Sequence, residues 1–300
     1  MSQHAPIAIP AEVRSRLKAL RLVPRQARGA HGIGQHASRS RGAGLEFAQY
    51  RAYEPGDALR QIDWKLYARS DRFFVRESER ESPITTWVLL DASASAAQAD
   101  RARPDWSRLD HACATAACVV ELALQQGDRF GAIVVNGHGV QVVPAGTGPR
   151  QRDRVHLLLR GVQAHGGWPP LDALRPVWER VQAGHLLVAL GDGFDEANTV
   201  LLERLAAARR EVLQVQLLSA EERDFPFAQG HRFEDPETGE ALLGDGRAIR
   251  DGYLARFDQA QRALQARLQA AGIAHALGYL DQPLDTPLGV LFGTGRRAWA

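Results

Sequence analysis

The sequence predicts a doubly wound α/β domain: a largely parallel sheet with helices on both faces, preceded by a smaller β-rich module. Three observations lead there. Residues 84–90 (ITTWVLL) form a continuous apolar, β-branched run rather than an alternating one, the pattern of a strand covered on both faces. After it, strand-like and helix-like segments alternate, as in βαβ units. The run ends in Asp91-Ala-Ser93-Ala-Ser95, which puts small oxygen-bearing side chains at a strand's carboxyl end. Open α/β sheets bind their ligands at that edge.

In chain order, residues 10–22 carry Val13, Leu17 and Leu20 on one stripe and predict a short amphipathic helix. Residues 24–44 are rich in Gly, Arg, Ser and His and read as loop. From Leu45 to Glu81 aromatic and charged residues crowd around a Pro55-Gly56-Asp57 turn, and 73–81 reads as an exposed strand. Beyond the buried strand, helix 107–126 leads to strands at 130–135 and 140–143, then helices at 150–163 and 170–182. Strand 185–192, helix 195–210, strand 212–218, helix 250–271 and strand 275–280 complete the pattern. Residues 219–249, rich in Gly, Pro and acid, read as a surface excursion. The expected organisation is a basic arm with a short helix over 1–43, a β-rich module over 44–83 packed on the main domain, and the α/β domain over 84–300.

Composition bounds the function. With 300 residues, 45% hydrophobic and 24% charged, the chain is long enough to bury a large core. Cys113 and Cys118 lie five apart in a predicted helix, on different faces, so neither a disulfide nor a metal clip is expected. No apolar run approaches the ~20 residues of a membrane span and no signal segment opens the chain, so a cytoplasmic protein is expected. The formal charge of +2 is uneven: residues 1–44 hold eight Lys and Arg against Glu12 alone, +7, leaving −5 for the rest. A basic arm over 14–41 offers nucleic-acid or anionic-surface binding, although it lacks aromatic residues for stacking.

The acidic loops carry the most specific chemistry. If 84–90 and 185–191 are parallel strands, Asp91 and Asp192 meet at one sheet edge. With Ser93 and Ser95 they offer hard oxygen donors suited to Mg²⁺, waters completing its octahedron. The plainer alternative is that the serines cap the next helix and Asp192 is a turn residue before a helix that Asp195 caps. This arrangement resembles the metal-ion-dependent adhesion site of von Willebrand factor A domains, in which a threonine from another loop joins the Asp-x-Ser-x-Ser group. Here the corresponding loop reads AHGGWPPL (164–171), with Trp168 where the threonine is expected.

The block over 44–81 is more specific still. Glu46-Phe47, Arg51 and Tyr53, Gly56-Asp57, Arg60 to Trp64 and Ala68-Arg69 resemble the signature of the bacterial family called domain of unknown function 58. DFPF (224–227), ETGE (237–240) and Tyr253 are similar to the same family. The resemblance implies a von Willebrand factor A-like fold and a role as adaptor or chaperone-like partner of a MoxR-type AAA+ ATPase, acting on client proteins. Many relatives begin with two membrane-spanning helices, which this chain is expected to lack. Read from the residues alone, Arg51, Asp57, Arg60, Asp63 and Arg69 around Tyr53 and Trp64 form a salt-bridged, aromatic-pinned module. Alternatively they make a partner-docking face with Arg60, Asp63, Trp64 and Arg69 at its centre.

Catalytic patterns are missing: there is no His-Glu-x-x-His, no Gly-x-Ser-x-Gly and no Walker loop. An aspartyl-nucleophile phosphatase would begin at Asp91, but Ser93 stands where its second aspartate belongs. The sequence therefore predicts a non-enzymatic, cation-dependent protein-binding module, with nucleic-acid binding by the arm or a metal-independent scaffold as alternatives.

Overall fold

The computed structural model describes residues 7–23, 49–54, 57, 62–77 and 83–293. Two compact units are present, residues 1–28 with 84–300 and residues 29–83.

The larger unit is built on a six-stranded sheet. Its strands are β3 (Thr85–Asp91), β4 (Arg129–Asn136), β5 (Gly139–Gly146), β6 (Leu186–Gly191), β7 (Glu211–Leu218) and β10 (Ala274–Tyr279), in the order β10-β7-β6-β3-β4-β5. All neighbours are parallel except the β4–β5 hairpin at one edge. The continuous apolar run at 84–90 is explained by burial from both sides. Val88 and Leu90 face one core, while Trp87 and Leu89 face the other.

The first core is closed by α1 (Ala11–Leu17), α3 (Arg108–Gln126), α4 (Gly148–Gly161) and α9 (Thr286–Phe292) through Val13, Leu17, Val119, Val155, Leu159, Leu288 and Phe292. The opposite core is closed by α5 (Arg175–Arg180), α6 (Glu196–Ala207) and α8 (Gly246–Ala270) through Val177, Leu201, Leu205 and Leu268. This is the predicted doubly wound architecture. Ser107 opens α3 with a reciprocal capping box to Asp110, and Gly127 closes it in the left-handed conformation. Both cysteines are free and buried in α3, and burial pushes each thiol up to about 12. Neither is a reactive thiolate.

Three details differ from the sequence pattern. The helix expected over 170–182 is only Arg175–Arg180, because Pro169 and Pro170 cannot sit inside a helix and Pro176 is accepted only in its first turn. The short N-terminal helix belongs to the core of the larger unit, and Arg16 of α1 pairs with Asp285 (Nη2–Oδ1 2.7 Å). The surface excursion over 219–249, given no elements in the sequence pattern, holds secondary structure as well as exposed loop. Its elements are α7 (Ala220–Asp224), strands β8 (Gly230–Glu234) and β9 (Ala241–Asp245) in an antiparallel hairpin, and the capped start of α8.

In the smaller unit, β1 (Gln49–Ala52) and β2 (Phe74–Glu77) pair antiparallel around α2 (Trp64–Ser70). Among its described residues the module expected to be β-rich holds these two strands and one short helix. Among the described residues, no helix is long and apolar enough to cross a membrane.

Candidate functional site

The sheet reverses its winding between β3 and β6: β4 lies on one side of β3, and β6, β7 and β10 lie on the other. A crevice opens at the carboxyl ends of two such strands. Asp91 is the last residue of β3, and Asp192 follows Gly191, the last of β6. Gly191 is required there, since a Cβ on it would fall 2.6 Å from the Cβ of Asp91.

After Asp91 the chain makes a short 3₁₀ turn, Ala94–Ala97, entered through Ser93. Neither serine caps the next helix: Ser93 makes no side-chain cap bond to the turn, and Ser107 caps α3. The hydroxyls turn into the crevice instead. Asp91 Oδ1 accepts the Ser93 amide at 2.9 Å, the two hydroxyl oxygens lie 3.0 Å apart, and Ser95 Oγ donates to Asp192 Oδ2 at 2.7 Å. Asp192 Oδ1 accepts the Phe194 amide (3.1 Å), and Gln216 Nε2 holds the Asp192 carbonyl (2.8 Å). Asp91, Ser93 and Asp192 are buried. The four residues singled out in the sequence thus converge, while Asp195 caps α6 through the Asn198 amide.

Two further residues belong to the site. Arg108, 2% exposed in α3, bonds Asp192 Oδ2 through Nη1 (2.8 Å) and both carboxylate oxygens of Glu222 through Nη2 (2.7 and 2.8 Å). Its Nη1 also donates to the Ser95 carbonyl. One guanidinium therefore serves two carboxylates, and among the described residues Asp91 has no cationic partner at hydrogen-bond distance. Burial, then the charge of Asp192, push the Asp91 carboxyl up to about 6, against the Ser93 amide and the Trp168 indole, which favour its ionised form. Among the described residues, Trp168 Nε1 is buried with no hydrogen-bond partner of good geometry, and its N–H favours the ionised form of Asp91 electrostatically. The second residue is Glu237 at the tip of the β8–β9 hairpin. Partial burial of its carboxyl and the charges of Asp192, Asp195 and Asp235 raise its pKa, while the Ser93 hydroxyl lowers it.

This donor set fits a hard cation in one specific respect. Ligands 2.0–2.1 Å from Mg²⁺ in an octahedron place neighbouring oxygens about 2.9 Å apart. The spacings Ser93–Ser95 (3.0 Å) and Ser95–Asp192 (2.7 Å) match that edge. Ser95 gives its only proton to Asp192, so between the two hydroxyls it is Ser93 that donates and Ser95 that accepts. Among the described residues, no three His, Cys, Asp or Glu side chains lie close enough to hold a metal by themselves. Any cation here depends on the serine hydroxyls, and the indole of Trp168 offers it no lone pair.

In the smaller unit, Asp63 is an N-cap: its Oδ1 accepts the amides of Lys65 and Leu66, and its Oδ2 accepts the Tyr50 hydroxyl. Trp64 stays 58% exposed, edge-on to Tyr67 and Phe73, and Arg69 is exposed on the same helix. Arg60 lies outside the described residues, as do Arg25, Arg28, Arg39 and Arg41 of the arm.

The chain is 31% identical over 262 residues to uncharacterized proteins of Mycobacterium tuberculosis (Rv1480) and Mycobacterium bovis (Mb1516), covering 84% of this chain and 79% of each relative. Among solved structures, the von Willebrand A domain of SpRpn10 aligns with 69% of this chain and 95% of its own at 14% identity and TM-score 0.39. A conserved hypothetical protein, BatB from Bacteroides thetaiotaomicron, aligns with 63% and 98% at 15% identity and TM-score 0.38. Residues 49–263 match the family described as protein of unknown function DUF58, and the chain belongs to that family.

Proposed function

We propose that this protein is a non-enzymatic, divalent-cation-dependent adaptor that binds an acidic side chain of a partner at the Asp91–Asp192 edge. The observation that carries this reading is the group of oxygens at the crevice: two hydroxyls at octahedral spacing, Asp192 sharing the Arg108 guanidinium with Glu222, and the buried Asp91 carboxylate beside them. In it, Ser93 and Ser95 ligate Mg²⁺ directly, while Asp91 and Asp192 do so directly or through water. An open position accepts the partner's carboxylate. The carboxylate that the Ser95 hydroxyl meets, Asp192, is already neutralised by Arg108, so the chemistry proposed for these residues is charge compensation and orientation.

The resemblance to the domain of unknown function 58 family supports a MoxR-type AAA+ ATPase as the partner, in maturation or assembly of client proteins in the cytoplasm. Trp64 and Arg69, exposed on α2, are proposed as a second docking face with Arg60 nearby in sequence; Asp63 serves that face by capping the helix. The test is binding of the full chain to the ATPase in Mg²⁺ and in EDTA, for the natural protein and Ser95→Ala. The expected result is loss of binding in EDTA and in the variant. Binding indifferent to both overturns the cation role, and no binding in Mg²⁺ overturns the choice of partner.

A further inference from the structure

The turn of the β8–β9 hairpin holds one acidic side chain in place. Asp235 Oδ1 accepts the amides of Glu237 (2.8 Å) and Thr238 (3.3 Å). The Asp235 amide donates to the Glu240 carbonyl, and the Gly239 amide to the Asp235 carbonyl, both at 2.8 Å. Gly239 completes the turn at φ +73°.

This tip meets the loop beside the acidic edge. Glu237 Oε2 lies 3.3 Å from where a Cβ of Gly167 would stand, so the absent side chain leaves room for the carboxylate. Gly167 comes directly after residues tied to the Asp91–Ser95 turn: the His165 amide donates to the Ala92 carbonyl (3.0 Å), and the Ala94 amide to the Gly166 carbonyl (2.7 Å). Glu237 thus stands beside the loop bonded to the Asp91–Ser95 turn, and the charges that raise its carboxyl, after partial burial, are those of Asp192, Asp195 and Asp235. Arg108, the buried cation of the site, is already engaged by Asp192 and Glu222. A carboxylate placed among other carboxylates and a hydroxyl lone pair is stabilised by a shared cation.

We infer that Glu237 takes the coordination position that the site would otherwise offer to a partner's carboxylate, so that the chain caps its own acidic edge. This rests on the cation reading given above and adds a regulatory step: a partner's acidic residue enters only as the hairpin tip leaves. The capped state is the resting one, and any partner contact that pulls on β8 or β9 opens the site.

The experiment uses Mn²⁺ as probe on the full chain, reading affinity and water-proton relaxation together, since relaxation reports the water bound to the ion. Glu237→Ala and Glu237→Gln are compared with the natural protein and with Asp91→Ala. Glu237 sits at an exposed turn, so circular dichroism should confirm an unchanged fold in both of its variants. The expected result is Mn²⁺ affinity lower by roughly tenfold in both Glu237 variants, through the lost ligand charge, with higher relaxivity as water fills the vacated position. Equal affinity and relaxivity in the Glu237 variants, with binding abolished in Asp91→Ala, overturns the cap and leaves the cation reading intact. No Mn²⁺ binding by the natural protein overturns both.

Discussion

Asp91 and Asp192 are chemically the same and sit at the ends of neighbouring parallel strands, but the fold treats them differently. Asp192 is held by Arg108, the Ser95 hydroxyl and the Phe194 amide. Asp91 has the Ser93 amide and the indole N–H of Trp168, and its carboxyl rises to about 6. One carboxylate is compensated by the protein. The other is kept buried at a cost, which a stable fold tolerates where something else supplies the charge. The contrast separates what holds the site together from what the site is for.

The largest effect is expected from removing the compensation. Arg108→Met leaves the buried Asp192 and the half-buried Glu222 without their cation and should destabilise the domain by about 3–5 kcal/mol, read as a lower urea midpoint. An unchanged midpoint would mean that the pair is solvated and the contrast false.

The opposite change is predicted at Asp91. Its carboxyl is raised above the unfolded value near 3.9, so the native state binds the proton more tightly. The stability this contributes is present in full below about pH 4 and lost as pH rises to about 6. Asp91→Asn should therefore stabilise the metal-free protein at pH 7 by on the order of 2 kcal/mol and flatten stability between those pH values. Denaturant titrations in EDTA across pH 4–8 check it; a variant less stable at pH 7 contradicts the assignment.

Gly191→Ala probes how close the two loops are. The added methyl meets Asp91 Cβ at 2.6 Å, and such overpacking costs roughly 1–3 kcal/mol. Thermal unfolding should show it, together with lost cation binding. The smallest effect is Asp195→Ala. It removes the α6 cap for about 1 kcal/mol and, three residues beyond Asp192, should leave cation affinity unchanged. A matching loss of affinity there would show that the site has no local definition.

Much of this is legible in the sequence because parallel strands impose simple rules. A strand covered on both faces must be apolar throughout, and strand carboxyl ends share an edge, so Asp91, Ser93, Ser95 and Asp192 emerge from pattern alone. Arg108 does not, since an arginine in the first turn of a helix ordinarily faces solvent. Its burial depends on Asp192 and Glu222, 84 and 114 residues away. The β8–β9 hairpin reads only as part of a surface excursion because its strands are short and largely exposed, although DPETG carries the turn chemistry. Glu237 gains its meaning only from the strand pairing that brings it over Gly167.

The central claim is that the Asp91 edge holds a cation on its serine hydroxyls. Crystals soaked in MnCl₂ and measured at the manganese absorption edge test it most directly. The account predicts an anomalous peak about 2.2 Å from both Ser93 Oγ and Ser95 Oγ, lost in Ser95→Ala. No peak at that crevice under saturating Mn²⁺ would contradict it.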